Sequence, residues 1–297
     1  MLLVVGEALV DLVIAPNGTV DAALGGAPFN TARAASRVGA DVEFCGALSD
    51  DRFGTMLAQR LDEDGVWMSH VQNTSAPTTL AAAEIDAAGA ATYRFYIDST
   101  SAPQFAEWPA VSPAAVFTGG LGLVFEPMAT TVQTGVLATS RECLVMLDVN
   151  ARPLVIADRP RYIERLAVVL RRADVVKVSD EDLAYLGPDI TVRSMLDRGA
   201  GAVIVTAGSE ATAIYADTHS VTVPVPPPPA PIVDTIGAGD TFGGALIAEL
   251  LRIDAGSADV RGDDGLDLLA DAVAFGTAAA GIVVTRRGAD PPRRDEL

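Results

Sequence analysis

A chain of 297 residues with 49% apolar and 20% charged side chains has the composition of a folded, water-soluble protein, with room for one large domain or two ordinary ones. Its 39 acidic residues outnumber 21 basic ones, and a formal charge of -18 repels phosphate backbones and anionic lipid, so neither nucleic acid nor membrane is expected as a partner. Two cysteines, Cys45 and Cys143, match no metal-ligand spacing and read as buried, reduced thiols.

In chain order, short β-branched runs at 2–5, 42–45, 115–118, 144–147, 175–178 and 203–206 read as buried strands. Between them, runs at 29–38, 53–61, 130–139, 161–170 and 192–198 read as helices. The alternation predicts an α/β fold, a mostly parallel central sheet covered on both faces, with residues 1–297 as one domain. Helix 161–170 puts Ile163, Leu166, Ala167 and Leu170 on one face, with Arg165, Arg171 and Arg172 near an end where cations suit the helix dipole. Two segments, 9–22 and 79–98, break the alternation and read as a small inserted β-sheet, a lid over the cleft at the main sheet's carboxyl edge. Asp86-Ala-Ala-Gly89 is the expected hairpin turn of the second segment. The tract from Pro224 to Pro231 reads as a stiff polyproline connector. The apolar stretch 272–284, interrupted by Gly276, Thr277 and Gly281, falls short of the roughly 20 residues of a membrane span. Residues 1–5 lack a basic flank and soon meet Glu7 and Asp11, which argues against a signal peptide and for a cytoplasmic location.

The densest chemical signal is Asp234-Thr-Ile-Gly-Ala-Gly-Asp240-Thr-Phe-Gly-Gly-Ala245, followed by a helical run to about Leu251. Gly237 and Gly239 permit a tight turn that leaves successive N–H groups free at a helix start, an anion hole. Asp240 at its mouth would repel an anion unless it takes a proton from something attacking that anion, which is the pairing phosphoryl transfer to a hydroxyl requires. An aspartate cap after a glycine turn is the structural alternative. Gly25-Gly26-Ala27-Pro28-Phe29-Asn30 precedes an amphipathic helix: the glycines allow close approach, and Asn30 offers both a donor and an acceptor to hydroxyls. Gly6-Glu7-Ala8-Leu9-Val10-Asp11 places a carboxylate just beyond the first strand. No Gly-Lys dipeptide exists, so a Walker loop is excluded. His70 and His219, the only histidines, lie in ordinary polar contexts and read as solvated.

With these three blocks in this order, the chain resembles the PfkB (ribokinase) family of carbohydrate kinases from Val4 to about Pro292. The resemblance implies a ribokinase-like three-layer α/β/α sandwich with a small β-sheet lid. Softer matches are Leu147-Asp-Val-Asn-Ala-Arg-Pro153, Val205-Thr-Ala-Gly208 and the closing segment from Val284 to Pro292. It implies that Asp240 is the catalytic base and that the backbone of Gly237, Ala238 and Gly239 is the anion hole. Asp11, Gly25, Gly26 and Asn30 match sugar contacts, with Glu126 and Arg94 as further candidates; Lys177, Ser179, Thr206 and Gly208 match the nucleotide side. The family's magnesium-linked Asn-x-x-Glu motif reads Ser179-x-x-Asp182 here, so the chain departs from the pattern at both ends. ATP and Mg2+ are the implied cofactors, with K+ in some members; Asp234 and the Ile236 carbonyl would be its ligands.

The first two blocks look most like those of fructokinases. Members acting on 2-keto-3-deoxygluconate place an arginine in the lid where this chain has Asp98, and an aspartate there repels an acid sugar. The expectation is a kinase for a primary hydroxyl of a small neutral sugar. Ribose, 2-keto-3-deoxygluconate or a nucleoside are alternative acceptors, and a non-catalytic sugar-binding protein is the alternative of another class. A small sheet with one apolar face, made by Leu80, Ala82 and Ile85 or by Tyr93 and Phe95, would pair with its twin in a homodimer.

Overall fold

The computed structural model describes residues 1–86 and 91–297. The first half contains β1 (Leu2–Val5), β2 (Leu9–Ile14), β3 (Val20–Gly25), α1 (Ala27–Arg37), β4 (Val42–Cys45), β5 (Ala47–Ser49), α2 (Arg52–Glu63), β6 (Gln72–Thr74), β7 (Leu80–Ile85) and β8 (Ala91–Tyr96). Then come β9 (Ala115–Gly119), α3 (Met128–Ala138), β10 (Leu144–Asp148), α4 (Arg159–Leu170), β11 (Val175–Ser179), α5 (Asp180–Leu186), α6 (Val192–Asp197) and β12 (Ala202–Thr206). The chain ends with β13 (Thr212–Ala216), β14 (His219–Val223), α7 (Ala238–Arg252), α8 (Ser257–Val260) and α9 (Gly265–Val283).

Eight strands form the main sheet in the order β14-β13-β12-β11-β10-β9-β1-β4. The six from β4 to β12 are parallel, and β13 and β14 extend the edge antiparallel. Parallel strands between two helix layers must be apolar on both faces. In β1, Leu2 and Val4 join the core with Phe29 of α1, Leu246 of α7 and Val273 of α9, while Leu3 and Val5 join the core with Val132 of α3 and Leu166 of α4. This is the expected three-layer sandwich. The apolar stretch 272–284 belongs mostly to the 19-residue α9, long and apolar enough by composition alone to cross a bilayer. Here its apolar face packs on α7, β13 and β14.

The second sheet has the order β3-β2-β7-β8. Its first segment runs further than the expected 9–22: β2 turns through 15–19 and β3 returns antiparallel to Gly25, opposite Leu9. The sheet therefore ends where α1 begins. Residues 87–90, which include most of the expected Asp86–Gly89 turn, lie outside the described residues. The register overturns one expected grouping of apolar side chains. Partners Leu80↔Tyr96 and Ala82↔Arg94 share one face, and Ala81↔Phe95 and Ala83↔Tyr93 the other, so the pleat puts Ile85 with Tyr93 and Phe95 rather than with Leu80 and Ala82. Phe95 and Ala81 pack against the main core, whereas Tyr93 is 55% exposed.

Candidate active site

Strands of a parallel sheet end together, and here the ends of β1, β9, β10 and β11 bring Glu7, Gly120, Asp148, Asn150 and Lys177 to one edge. Two helices start over that edge. At the mouth of α1, Gly26 has φ 104°, and a side chain there would sit 2.7 Å from the Glu7 carbonyl oxygen. At the mouth of α7, Gly237 has φ 75°, and a Cβ there would meet that of Ala289 at 2.5 Å. Only glycine satisfies both positions.

The two helix starts are joined through side chains. Asn30 Nδ2 donates to Asp240 Oδ2 at 2.9 Å, and Thr31 Oγ1 donates to the Asp240 carbonyl at 3.3 Å. Thr241 N–H donates to Gly237 O, closing the first turn of α7. Ala238 N–H is engaged by Thr235 O at 3.3 Å, which removes it from the expected anion hole. Among the described residues, the N–H groups of Gly237, Gly239 and Asp240 have no protein acceptor. Beneath them lies Lys177: its Nζ donates to both Asp148 oxygens at 3.0 and 2.9 Å, and a Cβ on Gly239 would stand 3.3 Å from that nitrogen. Burial opposes the ammonium charge, but Asp148, with Asp182 and Asp240 behind it, holds Lys177 protonated.

Asp240 keeps an opening to solvent, yet protein surrounds its carboxylate closely enough that burial pushes it up to about 6. The Asn30 hydrogen bond pulls the other way, Asp148 adds to the rise, and Lys177 and Arg152 oppose it. A carboxylate near 6 is ionised at neutral pH and basic enough to accept a proton.

The other sequence candidates divide. Asp11, on β2, lies on the face of the second sheet that carries Ala81 and Phe95, and burial pushes it up to about 6 against the pull of Arg152. A side chain at Gly25 would collide with its carboxylate. Thr206 ends β12, and Gly208, at φ 56°, turns the chain beyond it. Arg94 is not brought in: it stands on the opposite face from Asp11, exposed and paired with Glu84 at 2.7 Å. Glu126 is not brought in either. Its carboxylate holds Arg161, Arg165 and the Thr130 N–H. Arg165 is correspondingly buried, donating to Leu123 O, and stands mid-helix in α4 rather than at the end where a cation suits the dipole. Ser179 and Asp182 form the capping box of α5, and the second Asp182 oxygen accepts from Ala151 N–H at 2.7 Å. Both Asp182 oxygens are thus engaged by backbone amides, a capping arrangement rather than a metal-ligand one. Asp234 accepts from Ile236 N–H and Gly288 N–H, both at 3.0 Å, and so ties the glycine turn to the closing segment.

Sequence reasoning passed over two residues. Glu7 is buried with Oε2 unpartnered, and burial pushes its carboxyl up to about 8. Arg152 is exposed, donates only to the Ala151 carbonyl among the described residues, and its charge bears on Glu7, Asp11, Asp148 and Asp240 together. The Asp-x-Asn-x-Arg-Pro segment carried the signal for Arg152. The signal for Glu7 was its place one residue beyond Gly6. Two open hollows of about 180 and 350 Å³ lie elsewhere, one between α4 and the segments 123–125 and 155–158, the other at the amino edge of the sheet.

Residues 1–296 match the pfkB family of carbohydrate kinases. The chain belongs to that family. It is 33% identical over 263 residues to a fructokinase of Rhizobium leguminosarum bv. trifolii, spanning 84% of this chain and 79% of that protein. Fructokinase-1 of Zea mays is 31% identical, over 96% of this chain and 92% of its own length. The crystal structure of a fructokinase from Xylella fastidiosa with bound ATP superposes with a TM-score of 0.90 at 27% identity, covering 99% of this chain and 96% of that one. The protein is therefore an ATP-dependent sugar kinase with a ribokinase-like fold.

Proposed function

We propose that this kinase transfers the γ-phosphoryl group of ATP to a primary hydroxyl of fructose or a closely similar neutral sugar, with Asp240 as the general base. The observation that carries the reading is the Asn30–Asp240 hydrogen bond of 2.9 Å at the mouth of a turn with free N–H donors. Asn30 occupies Oδ2 of Asp240 and leaves Oδ1 to take the hydroxyl proton as its oxygen attacks phosphorus in line. The Gly237, Gly239 and Asp240 amides, with the Lys177 ammonium behind them, face the charge that spreads over the transferring oxygens. Arg152 is placed to offset the crowd of carboxylates around it.

Magnesium is expected with ATP, but Asp182 and Ser179, spent on the α5 cap, do not fit as its ligands. A monovalent cation does fit beside the turn: each Asp234 oxygen retains a lone pair after accepting one amide, and the Ile236 carbonyl is free of protein donors among the described residues. Such an ion would hold the turn in its anion-binding shape. Asp11 and the exposed Asp98 favour a neutral acceptor over a sugar acid, and the fructokinase names of the relatives favour fructose. A cytoplasmic location and a homodimer formed through the second sheet accord with the same reading. ATP consumption over fructose, ribose, 2-keto-3-deoxygluconate and adenosine tests it: fructose is expected to give the highest kcat/KM, and preference for the sugar acid or the nucleoside would overturn the choice of substrate.

A further inference from the structure

Away from the cleft, β4 forms the parallel end of the main sheet. Glu43 and Cys45 stand two residues apart on it and therefore project to the same side. The chain that follows α2 covers them, bonded to β4 through Trp67 N–H to Val42 O and Phe44 N–H to Trp67 O. His70 on this cover donates its backbone N–H to Glu43 Oε1 at 2.8 Å, and its ring Nδ1 lies 3.1 Å from the same oxygen. The ligand atoms of Glu43, Cys45 and His70 all fall within 4.8 Å of one another, the one such group among the described residues. Glu43 and Cys45 are buried, while the His70 side chain is 37% exposed. Cysteine spacing does not reveal such a cluster, because it takes two ligands from a strand and the third from a loop 25 residues on.

Two ligands each about 2.1 Å from a tetrahedral ion stand about 3.4 Å apart, so the Glu43–His70 spacing of 3.1 Å is already near a metal bite. The thiol needs to close by roughly an ångström. Carboxylate, imidazole and thiolate form a zinc donor set, and one carboxylate plus one thiolate would neutralise a divalent ion in a buried place. We propose that Glu43, Cys45 and His70 form a three-ligand site for one thiophilic divalent cation of the zinc class, with water completing the tetrahedron on the exposed His70 side. Binding exchanges the Cys45 thiol proton for a sulfur–metal bond, the proton leaves to solvent, and nothing is oxidised. The Cys45 carbonyl accepts from Gly6 N–H at 3.0 Å, so the ion would sit one hydrogen bond from the strand end that carries Glu7.

The test uses the full-length protein washed with chelator and titrated with Co2+, then with Zn2+. The proposal expects a cobalt–thiolate charge-transfer band that saturates at one equivalent and is abolished by zinc. Cys45→Ala should remove the band and Cys143→Ala should keep it. His70→Ala, at a half-exposed position that leaves the core intact, should weaken zinc affinity at least about tenfold while circular dichroism is unchanged. No band, a band that survives in Cys45→Ala, or unchanged zinc affinity in His70→Ala would overturn the site.

Discussion

Replacing Asp240 by Asn removes the proposed proton acceptor and little else. An asparagine oxygen can still accept from Asn30 Nδ2, so the joint between α1 and α7 survives. At pH 7.5 a carboxylate near 6 is almost wholly ionised, so the wild-type base is fully available. Removing a general base costs about 10²–10⁴ in rate, or roughly 3–5 kcal/mol of barrier. Stability should move the opposite way. The folded value lies above the ordinary carboxylate value, so ionised Asp240 weakens the fold, and that penalty appears as pH rises from about 4 through about 6. At pH 7.5 it is worth on the order of 1–3 kcal/mol, discounted for the opening to solvent. Asp240→Asn should therefore melt several degrees higher, keep its sugar KM and lose at least about two decades of kcat in an ADP-coupled assay. Turnover within tenfold of wild type would refute the role of Asp240, whatever the melting temperature showed.

Three further outcomes follow from the same geometry. Asn30→Ala deletes the donor that lowers the Asp240 value, so the acid limb of the kcat profile should move to higher pH; an unmoved limb would mean that the 2.9 Å bond does not tune the base. Gly237→Ala forces a side chain into a left-handed position against Ala289, and should cost roughly 1–3 kcal/mol in denaturant unfolding and raise the KM for ATP; wild-type values would show that the turn relaxes freely. Glu7→Gln should be active at pH 7, where the wild-type residue still carries its proton. Because the folded value of about 8 exceeds that of the unfolded chain, Glu7 makes wild-type stability fall between about pH 4.5 and 8 and level off above. The glutamine variant should lose that slope in chemical unfolding, and an unchanged slope would place the carboxyl in contact with water.

The central strands were legible because burial on both faces leaves runs such as Leu2–Val5 in β1 and 144–147 in β10 with no polar residue to confuse the period. β13 and β14 were missed because the antiparallel edge carries His219, Ser220 and Thr222 among its apolar residues, and its turn uses Asp217 at φ 47° without a glycine. The glycine turns at Gly26 and Gly237 could be read because their backbone angles admit few residues, and Asn30 because it opens the helix that follows the first of them. Ala238 was over-read: three residues of a turn were treated alike, although one N–H is consumed by Thr235. Arg94 and Glu126 failed for a reason no local pattern holds, since the face of a strand and the partner of a carboxylate are fixed by distant residues. Glu7 and the Lys177–Asp148 pair emerge only when four strand ends are laid side by side.

Phosphorus NMR of the products formed from ATP and fructose follows the transferred phosphoryl group itself. The account predicts one sugar phosphate monoester on a primary carbon for every ADP released, and none with Asp240→Asn on the same timescale. ADP accompanied only by inorganic phosphate, or a sugar ester formed equally fast without the Asp240 carboxylate, would contradict it.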